Sequence, residues 1–339
     1  MTIVMLGQKG LPARSGGIER HVSLLASGLA ARGHRVIVYG RRWYAKEAPK
    51  SPKVDFREKP LNPLKWTSVV QNPLRGAGGS VQESLEQRFT AGIHTKHLDA
   101  ITHGITAVFD ACSVQPDVIH VHGAGTALLL PLIRLVHPRA KIVTTFHCID
   151  WEHAKWGVLA RAAFRLGEWC MGRFSDRVIT VSEALSRYCA REYQTQTDYI
   201  THPFRATPVP DNADELLDQF ELAPERYLLS VSRLVAHKQI HLLIEAYREA
   251  QARFPAMFEQ IPLVIVGDGA WTDDYVRDLQ RLAKVTPGVR LVGEQVGASL
   301  AALQSQALAH VFTSRSEGLS FSLLEAGGYA RLAVMSDIP

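Results

Sequence analysis

Short apolar runs alternate along this chain with stretches in which apolar residues recur every three or four positions. Residues 3–6 form an unbroken apolar run, residues 7–17 are glycine-rich, and residues 18–32 set Val22, Leu25, Ala26 and Leu29 at helical spacing. Gly33 and His34 end that helix, and RVIVY at 35–39 is the next strand. A strand, a helix and a strand of these lengths predict a parallel sheet covered by helices. Further strands are expected at 118–121, 141–146 and 177–181, with a helix over 156–174. Pro60, Pro63, Pro73 and the glycines at 76–79 predict an irregular excursion across 50–95. After Pro203, Pro208 and Pro210 the alternation restarts, with strands expected at 227–231, 263–266, 289–292, 310–313 and 332–335. The intervening helices are expected at 239–253, 273–284, 298–307 and 320–330. The pattern predicts an α/β chain of two Rossmann-like domains, residues 1–205 and 206–339, with a cleft between them.

Composition narrows the classes. With 46% hydrophobic and 21% charged residues over 339 positions, the chain has the make-up of a soluble globular protein. Its longest apolar runs, such as 124–136, fall short of the roughly 20 residues that span a bilayer. TIVML at the start leads straight into a glycine loop, which reads as a buried strand and not as a signal peptide. Cys112, Cys148, Cys170 and Cys189 show no CxxC spacing, so a reducing cytoplasm and no structural zinc are expected. The net charge is +5. Basic residues are scattered without interleaved aromatics, which disfavours nucleic acid and leaves an anionic small molecule or lipid surface.

In such sheets ligands bind beyond the carboxyl ends of the strands. The first of these loops, GQKGLPARSGGIE, ends in Gly16 and Gly17 at a helix start, where free N–H groups favour an anion. Its Gly7-x-x-Gly10 spacing is not the GxGxxG of dinucleotide folds, which argues against a dinucleotide-dependent oxidoreductase. In the second domain SVSRLVAHKQI at 230–240 puts Arg233 and Lys238 after a strand, two cations suited to a diphosphate. Glu317 follows the strand at 310–313 and Glu325 lies in the next helix. Such carboxylates suit sugar and ribose hydroxyls. Taken singly, these residues also read as a structural turn, two solvated loop cations and two surface glutamates. No DxD occurs, which disfavours a metal-dependent sugar-nucleotide site. His120 and His122 alternate on one strand, with no acidic or cysteine ligand in reach. They are expected to be tautomer-fixed polar groups at the cleft rim, and no metal is expected.

Together, Gly16-Gly17 before a helix carrying Glu19, Ser232-Arg233-Leu234-x-x-x-Lys238, Val266-Gly267-Asp268-Gly269 and Glu317-x7-Glu325 resemble the retaining glycosyltransferases of family 4, which have the two-domain GT-B fold. GQKGLPARSGGIE, Thr95-Lys96-His97-Leu98 and the stretch from His147 through Asp150, Trp151, Lys155 and Trp156 look like the branch described as rhamnosyltransferases or polysaccharide-assembly enzymes. The resemblance implies Arg233 and Lys238 on the donor diphosphate, Glu325 on the ribose and Glu317 on the donor sugar. It also implies Gly17 beside the diphosphate, with Gly16, and His147 near the reacting sugar. Asp150, Lys155 and Lys96 would serve the acceptor side, and Trp151 and Trp156 read as packing residues. The implied partners are a nucleotide-sugar donor and a glycan or lipid-linked acceptor. No cofactor is implied, and the implied site of action is cytoplasmic, with peripheral membrane contact.

The chain departs from the family pattern at several positions. Thr201-His202-Pro203-Phe204 stands where Ile-Pro-Asn-Gly is usual, Ser232 where Gly is common, and Gln239 where Gly follows the lysine. Family members also continue past Ser336-Asp337-Ile338-Pro339, so the second domain is expected to lack a final strand and helices. An inactive remnant that at most binds nucleotide is therefore the competing expectation, and another enzyme of the same fold, an epimerase or phosphorylase, is a further one.

Overall fold

The computed structural model describes residues 1–13, 16–46, 67–71, 84–93, 95, 98–152, 156–205, 207–269 and 272–338. Contacts divide the chain into two compact units, Met1–Pro203 and Phe204–Pro339. The first holds eight strands: β1 (Thr2–Leu6), β2 (Arg35–Arg41), β3 (Thr67–Gln71), β4 (Leu85–Thr90), β5 (Val118–His122), β6 (Lys141–Phe146), β7 (Arg177–Thr180) and β8 (Asp198–Tyr199). They form one sheet in the order β3-β4-β2-β1-β5-β6-β7-β8. Every pairing is parallel except β3 with β4. The chain winds outward both ways from β1, so the strand order reverses between β1 and β5.

Within the span 50–95 the described residues include β3 and β4, whereas Pro60, Pro63, Pro73 and the glycines at 76–79, on which the expected irregular excursion rests, lie outside the described residues. In β4 the side chains of Leu85, Gln87 and Phe89 are buried, while Glu86 and Arg88 pair with each other on the alternate face at 2.6 Å. Such a half-polar strand carries no unbroken apolar run, so a reading keyed to those runs passes over it.

The second unit holds β9 (Leu228–Val231), β10 (Leu263–Val266), β11 (Val289–Leu291), β12 (Ala309–Phe312) and β13 (Leu332–Met335), all parallel, in the order β11-β10-β9-β12-β13. Here the order reverses between β9 and β12. The period of two along a strand splits LVIV of β10 between two cores. Val264 and Val266 pack with Leu217, Leu229 and Leu303, whereas Leu263 and Ile265 pack with Ile240, Ile244 and Leu279. Burial on both faces is why the strand reads as a continuous apolar run. The covering helix Asp273–Lys284 begins with Asp273 and Asp274 and ends with Arg281 and Lys284, each sign placed against the opposite end of the helix dipole.

The loops at the strand ends are pressed together where glycine permits. Gly7, after β1, has φ +113°, and a Cβ there would lie 2.2 Å from the His122 carbonyl oxygen of β5. Gly267, after β10, has φ +144°, and its Cβ would lie 1.8 Å from the Ser232 carbonyl oxygen after β9. Hydrogen bonds from Ser232 N to Val266 O (3.0 Å), Leu234 N to Asp268 O (2.8 Å) and Gly267 N to Gly293 O (2.9 Å) keep these loops side by side.

Gly267→Ala is therefore expected to destabilise its unit by about 3 kcal/mol or more, through backbone collision and strain together. Gly28→Ala, in a helix interior with nothing within 4 Å of the added carbon, is expected to stabilise by about 0.5–1 kcal/mol. Urea unfolding of the two variants checks the contrast, which reverses if the approach at Gly267 is not close.

Candidate functional site

In the first unit the reversal between β1 and β5 gathers histidines. His122 ends β5, His147 follows β6, His21 lies on helix Gly17–Ala31, and His202 lies beyond β8. All four are buried. The His21 ring centroid is 4.8 Å from that of His147, 5.0 Å from that of His202 and 5.4 Å from that of His122. His21 Nδ1 meets His202 Nδ1 at 2.9 Å, and His122 Nδ1 meets His147 Nε2 at 3.2 Å. Burial, reinforced by His202 and His120, pulls His21 down to about 3. Burial likewise holds His122 and His147 well below the ordinary imidazole value, helped by the neighbouring rings. His21, His122 and His147 are thus neutral near pH 7.

Each ring-to-ring bond uses one N–H and one lone pair. Among the described residues His21 Nε2, His122 Nε2 and His147 Nδ1 are buried without a partner. Neutral imidazoles with unspent donors and acceptors suit a sugar hydroxyl, which both donates and accepts. One nitrogen from each of His21, His122 and His147 lies within 4.8 Å of the others, a grouping of buried imidazoles that could also hold a metal ion. His120 and His122 do not stand at an exposed rim: both are buried, with His120 Nε2 2.7 Å from Thr145 Oγ1. What covers them lies on the face of the sheet, where His122 packs against His21 of helix Gly17–Ala31 and against His120.

Around this cluster the remaining expected residues take distinct places. Gly16, at φ +102°, precedes Gly17 at the start of its helix, and a Cβ at Gly16 would lie 2.3 Å from Glu19 Oε2. The buried Glu19 folds back over its own helix start to accept from Lys9 N at 3.2 Å. Asp150 sits in a helical turn after β6 and accepts from Cys148 Sγ at 3.6 Å. Trp151 donates to Tyr188 Oη at 3.1 Å, and Trp156 tilts against Phe164 at 5.0 Å. Lys96 and Lys155 lie outside the described residues. Beneath Trp151, Glu168 accepts from Tyr188 Oη (2.8 Å) and Tyr193 Oη (2.6 Å), and burial pushes its carboxyl up.

In the second unit the reversal between β9 and β12 brings the loops after those strands together. Thr313 Oγ1 donates to Lys238 O at 2.9 Å, and Arg315 N donates to His237 O at 2.8 Å. This clasp pairs the Lys238 ammonium with Glu317 Oε1, which also accepts from Ser314 Oγ at 2.7 Å. Arg233 is exposed in the same loop. Glu325, in helix Phe321–Gly328, is buried and accepts from Gln304 Nε2 at 2.5 Å. The structure therefore brings Lys238 and Glu317 together and sets the two glutamates in different surroundings, one paired with a cation and one held by an amide.

The departures in this loop have physical consequences. Gln239 adopts φ +52°, ψ +38° at the start of helix Ile240–Arg253, a left-handed conformation that favours glycine. The Ser232 hydroxyl is buried without a partner. Sequence reasoning passed over His21, Gln304 and Ser314 as site residues. His21 had a signal, since it lies four positions before Leu25 on the buried side of its helix.

Two doubly wound units with polar groups gathered at their strand-order reversals define the GT-B class of α/β protein. Among solved structures the chain is similar to sucrose-phosphate synthase from Thermosynechococcus elongatus (TM-score 0.74, 18% identity, 99% of this chain and 81% of that one). It is also similar to Anabaena Alr3699/HepE in complex with UDP-glucose (TM-score 0.69, 17% identity, 99% and 80%). A curated relative, the glycogen synthase of Mycobacterium tuberculosis, is 27% identical over 356 aligned residues, covering 100% of this chain and 78% of the relative. The family model described as Glycosyltransferase Family 4 matches residues 15–202, and that described as Glycosyl transferases group 1 matches residues 213–339. The chain belongs to glycosyltransferase family 4.

Two expectations follow. The unfolded chain protonates its histidines near pH 6.5, whereas His21, His103 and His120 titrate at about 3 to 4 in the fold, chiefly through burial. Stability is then complete above about pH 6.5 and is lost as pH falls toward 4, by about 1.4 kcal/mol per pH unit for each such histidine. Chemical denaturation from pH 7.5 to 4.5 measures the slope, which His120→Gln should reduce by about one histidine. Gln239→Gly should raise stability by about 0.5–1 kcal/mol, and an unchanged or lower melting temperature would count against the left-handed backbone there.

Proposed function

We propose that this glycosyltransferase is a retaining enzyme that moves a hexosyl or deoxyhexosyl group from a nucleotide-diphosphate sugar to a glycan or lipid-linked acceptor in surface polysaccharide assembly. The observation that carries the reading is the Lys238–Glu317 pair at the β9/β12 reversal, with Arg233 exposed in the same loop as Lys238 and Glu325 buried in the helix after Glu317. A cation held by a carboxylate at a strand end is positioned to take up a phosphate, and the carboxylate it releases is then free to accept from sugar hydroxyls. HepE was solved with UDP-glucose, which supports a uridine nucleotide as the first donor to try. The rhamnosyltransferase-like motifs support a deoxyhexose.

In this reading Arg233 and Lys238 neutralise the departing diphosphate, so no metal is required for that charge. Glu325 accepts from the ribose and Glu317 from the donor sugar. Gly16 and Gly17, at a helix start and without side chains, let the diphosphate come close to the backbone. His147, neutral at pH 7, hydrogen-bonds the reacting sugar. The acceptor hydroxyl attacks on the face that the diphosphate leaves, the anomeric carbon–oxygen bond breaks, and the leaving phosphate takes the hydroxyl proton. Asp150, with Lys96 and Lys155, orients the acceptor. The reaction is placed in the cytoplasm at the inner membrane face.

Calorimetric titration with UDP, GDP, TDP and their sugars tests the reading. One base is expected to bind, with Lys238→Ala and Glu325→Ala each weakening it by about 1.5–3 kcal/mol, as for a lost charge-assisted hydrogen bond. Glu317→Gln should retain nucleotide binding and lose transfer. Failure of every nucleotide to bind a well-folded chain would sink the proposal, and binding without transfer to any polyprenyl-linked glycan would reduce it to a nucleotide-binding protein.

A further inference from the structure

Helix Val158–Phe174 breaks the rule that a covering helix turns polar residues outward. Its inner face is small and apolar: a Cβ at Gly167 would lie 2.0 Å from the Ala124 carbonyl oxygen, and Cys170 and Met171 are buried. The outer face is apolar as well. Val158 is 82% exposed, Leu159 88%, Leu166 52% and Trp169 49%. At 100° per residue these four fall within one arc of about 100°. Exposed Arg161, Arg165 and Arg173 share that side, and the helix's acidic residue, Glu168, is turned inward and buried. An apolar stripe whose own helix sets cations and no anion on that side, with the exposed Glu152 in the turn before it, suits a surface that is itself apolar below and anionic above. Leucine and valine enter the acyl boundary, tryptophan sits at the headgroup level, and arginines meet lipid phosphates. Trp151 is covered by the Arg165 guanidinium at 4.1 Å, which leaves Arg161 and Arg173 as the freer cations.

We propose that this outer face is a docking surface for an anionic lipid bilayer. It deepens the reading of a lipid-linked acceptor and rests on that reading for its purpose. Vesicle binding needs neither donor nor turnover, so the two fail separately.

The test is co-sedimentation of the full chain with vesicles of phosphatidylcholine alone or with 30% phosphatidylglycerol (about a third anionic lipid, enough for a negative surface potential). Binding is expected to the anionic vesicles and to weaken with salt. Leu159→Ser with Leu166→Ser should lower the partition coefficient about tenfold or more. Arg161→Ala and Arg173→Ala should each lower it about fivefold, on anionic vesicles only. Brominated lipid should quench the wild type and quench Trp169→Phe less. All these residues are exposed, and unchanged melting temperatures confirm that the variants fold. Absence of binding at low salt overturns the proposal. So does binding that survives the leucine substitutions, which places the contact elsewhere. A dimer in light scattering that those substitutions dissolve also overturns it, assigning the face to a second copy of the chain.

Discussion

In each sheet two neighbouring strands run the same way while the chain leaves them in opposite directions, and the loops beyond them are held at backbone contact. At Gly7 against the His122 carbonyl, and at Gly267 against the Ser232 carbonyl, the separation leaves room for hydrogen and none for carbon. The arrangement of the polar groups depends on that closeness. Loops held nearer or farther by an ångström would not set Lys238 on Glu317, 79 positions later in the chain, nor His122 on His147 at 3.2 Å.

The two units meet the same problem, polar groups collected at a sheet edge, with opposite electrostatics. In the first, burial removes charge: the imidazoles stay neutral because each would have to be ionised among others with little water. In the second, charge is kept and matched. Lys238 and Glu317 retain partial exposure, 13% and 24% of their side chains, so the pair avoids the full cost of desolvation that deep burial would impose. One collection can hydrogen-bond a neutral polyol, and the other can exchange one anion for another.

Much of this was legible in the chain. A strand buried on both faces, such as LVIV at 263–266, declares itself as an apolar run, and its observed limits match those read from sequence, as do those of KIVTTF at 141–146. β4, LEQRFT, does not declare itself, because only Leu85 and Phe89 in it are apolar and Glu86 and Arg88 are charged. Likewise Glu317 and Lys238 were singled out from their position after strands, but their mutual contact depends on β9 and β12 being neighbours, a property of strand order that no local spacing encodes. Gln304, which holds Glu325, carries no motif at all. The histidine cluster joins four separate segments; from the sequence His122, His147 and His202 drew notice for unrelated reasons, and His21 did not.

Helix Val158–Phe174 is fastened chiefly from within. Gly167 lies on the Ala124 carbonyl, and the Glu168 carboxylate, two turns from the helix end, is gripped by Tyr188 and Tyr193. On the outward side Arg165 rests on Trp151 and Trp169 meets Phe174 edge to face, while Val158, Leu159 and Leu166 are exposed, so those three carry little folding duty. Substitutions there can accumulate without unseating the helix, so descendants of this chain can be re-addressed to a different surface by a few surface changes while the sheet and its polar edge stay as they are.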